Sequence, residues 1–149
     1  MSYLISLFLL FGTNTFAETN CTHDSETFRC VKYIKNYDGD TVTVKIPNTH
    51  PLFGDDISVR IVGIDTAEKN GKRPCEKEQA RTAQRLVENL LKNAKSIELR
   101  KVARDKYFRV LAEIWADGKS IGEALIKNKL AYGYDGGRKP TSTDWCQGK

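Results

Sequence analysis

In Thr41-Val42-Thr43-Val44-Lys45-Ile46 apolar and polar residues alternate without a break. Only a strand with one face buried satisfies that pattern, because successive side chains leave a strand on opposite sides. Ahead of it, Phe28 to Lys35 is rich in Val, Ile and Tyr, and Asn36-Tyr37-Asp38-Gly39-Asp40 lies between the two stretches. Its Asp-Gly step is a strong turn signal, so the region predicts two strands joined by a tight turn.

The rest of the chain follows the same logic. Pro47 to Asp56 reads as a loop, Ile57 to Ile64 as a third strand, and Asp65 to Arg73 as a polar loop. Pro74 suits the first turn of a helix. From there to about Asn93, Ala80, Ala83, Val87, Leu90 and Leu91 recur at helical spacing. Ser96 to Val102 and Phe108 to Trp115 predict two more strands, with Asp117-Gly118 turning the chain. Ser120-Ile-Gly-Glu123 is a capping box that opens a second helix through Asn128. The tail, with Gly136-Gly137 and Pro140, reads as irregular. The 149 residues suit one α+β domain. Five strands at this size suit a closed or partly closed barrel of the oligonucleotide/oligosaccharide-binding (OB) type.

Residues 1–17 carry no charge and include the apolar run Leu4 to Phe11, followed by Thr15-Phe16-Ala17. The run is shorter than the roughly 20 residues of a comfortable span. It reads as a signal peptide, although a basic n-region is missing. A buried helix and an uncleaved anchor are the alternatives. The expected product, residues 18–149, is exported to a periplasm or secreted, with no stable membrane insertion after cleavage. All four cysteines lie beyond the cleavage point, and an even number in an exported chain favours disulfides. Three pairings are open. Cys21 with Cys30 and Cys75 with Cys146 is preferred, since the first closes a local loop and the second pins the chain's end to a helix start. Zinc-type Cys-x-x-Cys or His spacing is missing. A net charge of +5 permits a nucleic acid, an acidic polysaccharide or an anionic surface as partner, without choosing among them.

The chemistry lies in three short segments: Asp38-Gly39-Asp40-Thr41, Arg60 to Glu68, and Asp105-Lys106-Tyr107-Phe108-Arg109. Taken alone, the first is an ordinary hairpin turn and the acids of the second an ordinary loop cluster. Arg60 is harder to dismiss. It alternates with Val59 and Ile61 in a strand, where partial burial demands an anionic partner, and Asp40, Asp65 and Glu68 are candidates. Hard carboxylate oxygens suit a divalent cation, and arginines grip phosphate oxygens bidentately. Together they point to metal-assisted phosphodiester cleavage. Lys95, Arg100, Lys101, Arg104 and Lys106 are either a cationic rim for a phosphate backbone or a solvated surface.

Asp-Gly-Asp-Thr, Arg-x4-Asp-Thr-x-Glu and Asp-Lys-Tyr-x-Arg, in this order, resemble the staphylococcal nuclease (thermonuclease) family, from about residue 33 to 134. The resemblance implies a five-stranded OB-fold barrel with two to three helices. It also implies a hydrolase: a calcium-dependent, sugar-nonspecific endonuclease acting on DNA and RNA and leaving 3′-phosphate ends. By motif, Asp40, Asp65 and the Thr66 carbonyl correspond to the Ca2+ ligands, with Asp38 ordering them. Arg60, Glu68 and Arg109 correspond to the catalytic set. Lys106 and Tyr107 correspond to phosphate-contacting residues, and Tyr132 and Tyr134 to tyrosines along the nucleotide pocket. A monomer is expected, acting on single-stranded or locally unpaired substrate.

Three departures stand out. Ala67 replaces a frequent proline, which would loosen its loop. Phe108 replaces a glycine and would be strained if that position needs positive φ. The family's C-terminal helix is expected to be shortened or missing, and a Cys75–Cys146 bond would compensate. The rival readings are a non-catalytic nucleic-acid-binding barrel and a disulfide-stabilised envelope protein. His23 and His50 lie outside every motif, which disfavours histidine-dependent chemistry.

Overall fold

The computed structural model describes residues 21–139 and 144–146, so the expected signal peptide lies outside the described residues. In chain order the elements are β1 (Lys32–Asn36), β2 (Thr41–Lys45), α1 (Pro51–Gly54), β3 (Ile57–Ile61), β4 (Ile64–Thr66), α2 (Pro74–Lys92), β5 (Ile97–Arg104), β6 (Val110–Ala116), β7 (Lys119–Ser120), α3 (Ile121–Lys127) and β8 (Ala131–Gly133). The α+β class and the helix number are as expected.

The closed five-stranded barrel is not. The main sheet is a six-stranded mixed sheet along the path β1-β2-β3-β6-β5, with β7 pairing β6, and β4 and β8 form a second, two-stranded sheet. Within the main sheet β3 and β6 are parallel, whereas β1 with β2, β2 with β3, β5 with β6 and β6 with β7 are antiparallel. β1 and β5 are the two ends of the path, with no ladder between them. The segment ahead of β1 meets β5 through an isolated bridge, Phe28 with Leu99, and two single hydrogen bonds, Val31 N–H to Ile97 O and Val102 N–H to Glu26 O. The physical reason lies at Cys30. It is bonded to Cys21 and held at φ 54°, a left-handed conformation that a strand cannot pass through. The strand expected from Phe28 therefore begins only at Lys32.

A second break shapes the site. The apolar run Ile57 to Ile64 is two strands, interrupted at Val62-Gly63, where Gly63 has φ 81°. Glycine adopts that conformation without steric cost. The bend takes Ile64–Thr66 out of the main sheet to pair with Ala131–Gly133, a strand in the segment expected to be irregular.

The core is one cluster shared by the sheet and the helices. Val42, Val44, Val59, Leu99 and Ile114 are fully buried. Helix α2 lays Ala83, Val87 and Leu91 against them and buries Ala80 as well, and α3 adds Ile121 and Leu125. The disulfides are Cys21–Cys30 and Cys75–Cys146, the preferred pairing. Among the described residues no helix is long and apolar enough to cross a membrane.

Candidate active site

The turn between β1 and β2 is fastened to α2 before it presents any charge. The Asn36 side chain, buried at the end of β1, donates to the carbonyls of Asp38 at 2.8 Å and Gln84 at 3.1 Å. Gln84 in α2 donates back to the Asn36 carbonyl at 3.1 Å. Asp38 Oδ1 then accepts the backbone N–H groups of Asp40 at 3.1 Å and Thr41 at 2.8 Å, so its carboxylate shapes the turn rather than the cleft. Burial, and then the negative charge of Asp40, push the Asp38 carboxyl up to about 6. Gly39 is required by space, not by backbone angle. A Cβ there would lie 2.7 Å from Ala83 Cβ and 2.9 Å from Thr66 Cγ2.

That turn delivers Asp40 to Arg60. The arginine stands on β3, paired across the sheet with Thr41 of β2 and Leu111 of β6. Its Nη1 forms an ion pair with Asp40 Oδ1, and its Nη2 lies 3.0 Å from Asp65 Oδ1. One guanidinium thus spans two carboxylates, which are only 6% and 3% exposed. Two buried acids at close quarters are tolerable only with such a counter-charge and full hydrogen bonding. Asp40 Oδ2 accepts from the Thr66 backbone N–H at 3.1 Å and from the Thr66 hydroxyl at 3.0 Å. Asp65 Oδ2 accepts from the Tyr132 hydroxyl at 2.7 Å. The bend at Gly63 makes this possible, because it returns β4 toward the arginine.

Asp65 has a second cationic neighbour, at Oδ2. Lys139 Nζ lies 3.1 Å away, and the same ammonium is 3.2 Å from Glu68 Oε1. Burial works against the charge on Lys139, but hydrogen bonds and charges from Asp65 and Glu68 outweigh it and raise its pKa above the usual lysine value. Glu68 itself is exposed, in the loop after β4, and Ala67 beside it is buried. The Gly71 N–H to Glu68 O bond closes the loop beyond.

Arg109 stands apart from the buried pair. It ends a tight turn in which Asp105 accepts the N–H groups of Tyr107 and Arg109, and its Nε is 2.7 Å from Asp105 Oδ2. Phe108 occupies the left-handed position of that turn at φ 62° and is 79% exposed. The strain expected there is present. Arg60 and Arg109 nevertheless line one cavity of about 600 Å³, together with Lys106, Tyr107 and Tyr134. Tyr132 lies behind Asp65, with its ring 5.5 Å from that of Trp145. Of the proposed cationic rim, Arg100 pairs with Glu98 and lies over the Trp115 ring, while Lys101 pairs with Glu113.

The structure therefore joins Asp40, Arg60, Asp65 and Thr66 directly and reaches Glu68 through Lys139, while Arg109 and Tyr107 share with this cluster only the cavity that Arg60 also lines. Sequence reasoning missed Lys139 and the Asn36–Gln84 clasp. The only signal for Lys139 is a basic pair, Arg138-Lys139, shortly before Cys146.

A hard divalent cation suits this donor set, which offers carboxylate oxygens and no sulfur or imidazole. Among the described residues no group of three or more His, Cys, Asp or Glu side chains is arranged around a common point. Asp40 and Asp65 are the two buried carboxylates at this point of the structure. Both oxygens of each carboxylate already accept from Arg60, Thr66, Tyr132 or Lys139. Each carboxylate oxygen has a second lone pair, so these bonds leave acceptor capacity.

A buried carboxylate pair held by Arg60, beside a cleft that Arg60 lines with Lys106, Arg109 and two tyrosines, is chemistry suited to a phosphate. The chain belongs to the staphylococcal nuclease homologue family, whose model matches residues 58–145. It is 35% identical over 96 residues to the SPbeta prophage-derived endonuclease YokF of Bacillus subtilis (strain 168), covering 63% of this chain and 30% of that protein. It is 36% identical over 96 residues to the endonuclease YncB of the same organism, covering 63% of this chain and 43% of that protein. The chain thus spans less than half the length of either relative.

Proposed function

We propose that this protein is an exported, calcium-dependent endonuclease that hydrolyses DNA and RNA without regard to the sugar and leaves 3′-phosphate ends. Family membership supports the nuclease class. The observation that carries the reading is the Arg60 guanidinium spanning Asp40 and Asp65 at the edge of the cleft that Arg109 also lines.

In this reading Asp40, Asp65 and the Thr66 carbonyl hold Ca2+, and Asp38 fixes the turn that aims Asp40. The bound ion would supply Lewis-acid polarisation of the scissile phosphate. Arg60 and Arg109 bind the phosphate oxygens and balance the negative charge that builds up during attack. Glu68, exposed beside the buried pair, takes a proton from the attacking water. Lys106 and Tyr107 contact a neighbouring phosphate, and Tyr134 borders the nucleotide. Tyr132, through its bond to Asp65, holds that carboxylate in place and edges the pocket with its ring. An open cleft of this size suits a single or locally unpaired strand, bound by a monomer.

Glu68→Gln tests the assignment. It keeps the size of the side chain and removes the base. Cleavage of single-stranded DNA should fall by about 10²–10⁴-fold, the usual worth of a positioned acid–base group, with an unchanged melting temperature. Undiminished hydrolysis would remove Glu68 from the role. End-group analysis of the wild-type products should find 3′-phosphates.

A further inference from the structure

Two cations touch Asp65, and they differ in kind. Arg60 is fixed on a central strand, with a side chain 16% exposed, whereas the Lys139 side chain is 50% exposed at the end of a flexible alkyl stem. Lys139 binds Asp65 and Glu68 at once. It is a single positive charge set between a buried candidate cation ligand and the candidate base.

Its location is enforced from the far side. Cys146 is bonded to Cys75 at the start of α2, and Asp144 forms an ion pair with Arg73, the residue ahead of that helix, at 2.8 Å. Trp145 packs on the ring of Tyr132, whose hydroxyl also binds Asp65. Asp144, Trp145 and Cys146 are therefore anchored where the loop that carries Glu68 meets α2, which keeps the effective concentration of the ammonium at Asp65 high.

We propose that Lys139 is a tethered counter-ion of the Asp40–Asp65 site: it neutralises Asp65 and ties Glu68 to it while the site is free of metal, and a divalent cation binds by displacing it. The inference rests on the proposed function, since it takes these two aspartates as the cation ligands. Lys139 is then a positioning residue. It sets the cation affinity of the site and frees Glu68 only when the ion arrives.

The idea predicts a sign that a merely structural lysine does not. Calcium titration calorimetry on residues 18–149 compares wild type, Lys139→Met, Lys139→Arg and the double variant Cys75→Ser/Cys146→Ser. Removing a competing charge at contact distance should tighten calcium binding roughly tenfold in Lys139→Met. Lys139→Arg should remain near wild type. The double variant, with the tether gone, should move the same way as Lys139→Met. The cation-free form of Lys139→Met should also melt below cation-free wild type, with the gap narrowing in saturating calcium. Unchanged or weaker calcium binding by Lys139→Met overturns the proposal. Unchanged calcium binding with weaker binding of a single-stranded oligonucleotide also overturns it, and assigns Lys139 to the substrate phosphate. If neither protein binds calcium, the calcium reading of the site fails together with this inference. If wild type binds calcium and Lys139→Met binds it equally, only the inference fails.

Discussion

Arg60→Met is the sharpest perturbation of the site. Methionine preserves the apolar stem in the strand and removes the guanidinium that spans Asp40 and Asp65. Both carboxylates are almost inaccessible to solvent. Breaking a buried ion pair by removing one partner costs about 3–5 kcal/mol, because the other charge stays buried without compensation. Here two acids lose the partner, but Lys139 still faces Asp65 and Thr66 still donates twice to Asp40. The expected loss is therefore at the lower end, about 3 kcal/mol at pH 7, within the 5–15 kcal/mol of a typical domain. Urea denaturation at pH 7 in the presence of a chelator measures it. Calcium should shrink the difference from wild type, by replacing the missing positive charge. A loss below about 1 kcal/mol in chelator would refute the reasoning, since surface-type pairs contribute no more than that.

Three further outcomes follow from particular contacts. Gly39→Ala should cost about 1–3 kcal/mol by overpacking, since its Cβ would press on Ala83 and Thr66, and thermal melting would show it; a neutral variant would mean that the turn has room to move. Asp38 holds its proton more tightly in the folded state, at about 6 against 3.8 unfolded. Its stabilising contribution is then fully present below about pH 4 and is lost as pH rises through 6. The difference in unfolding free energy between wild type and Asp38→Asn, measured against pH without calcium, should carry that slope, and a flat difference would contradict it. On the chain-entropy model, removing Cys75–Cys146, with a sequence separation of 71, should cost about 4 kcal/mol. Removing Cys21–Cys30, with a separation of 9, should cost about 2.5 kcal/mol. Paired Cys→Ser variants in urea would rank the two, and a reversed order would count against the loop-length argument.

Local pattern made much of the framework legible. Thr41–Lys45 is a strand because its alternation allows nothing else, and α2 starts at Pro74 and buries Ala80, Ala83, Val87 and Leu91 of the residues that recur at helical spacing, with Leu90 half-buried. Long-range geometry was not legible. The continuous apolar run Ile57 to Ile64 concealed a break, since hydrophobicity shows burial and not direction, and Gly63 was its one local mark. Barrel closure failed for a related reason: composition predicts strands, but which strands pair depends on backbone angles such as that of Cys30. In the site, the charges of Asp40, Arg60 and Asp65 showed in the sequence, because a half-buried arginine needs acids. Lys139 did not, because it enters from a part of the chain without periodicity and reaches Asp65 only through tertiary anchoring.

Cleavage of single-stranded DNA by residues 18–149, with calcium and then with excess chelator, separates a calcium-dependent nuclease from every rival. Cutting in calcium to products with 3′-phosphate ends, lost on chelation, is the expected result. Hydrolysis that continues undiminished in chelator, or salt-sensitive binding without any cutting in calcium, would contradict it.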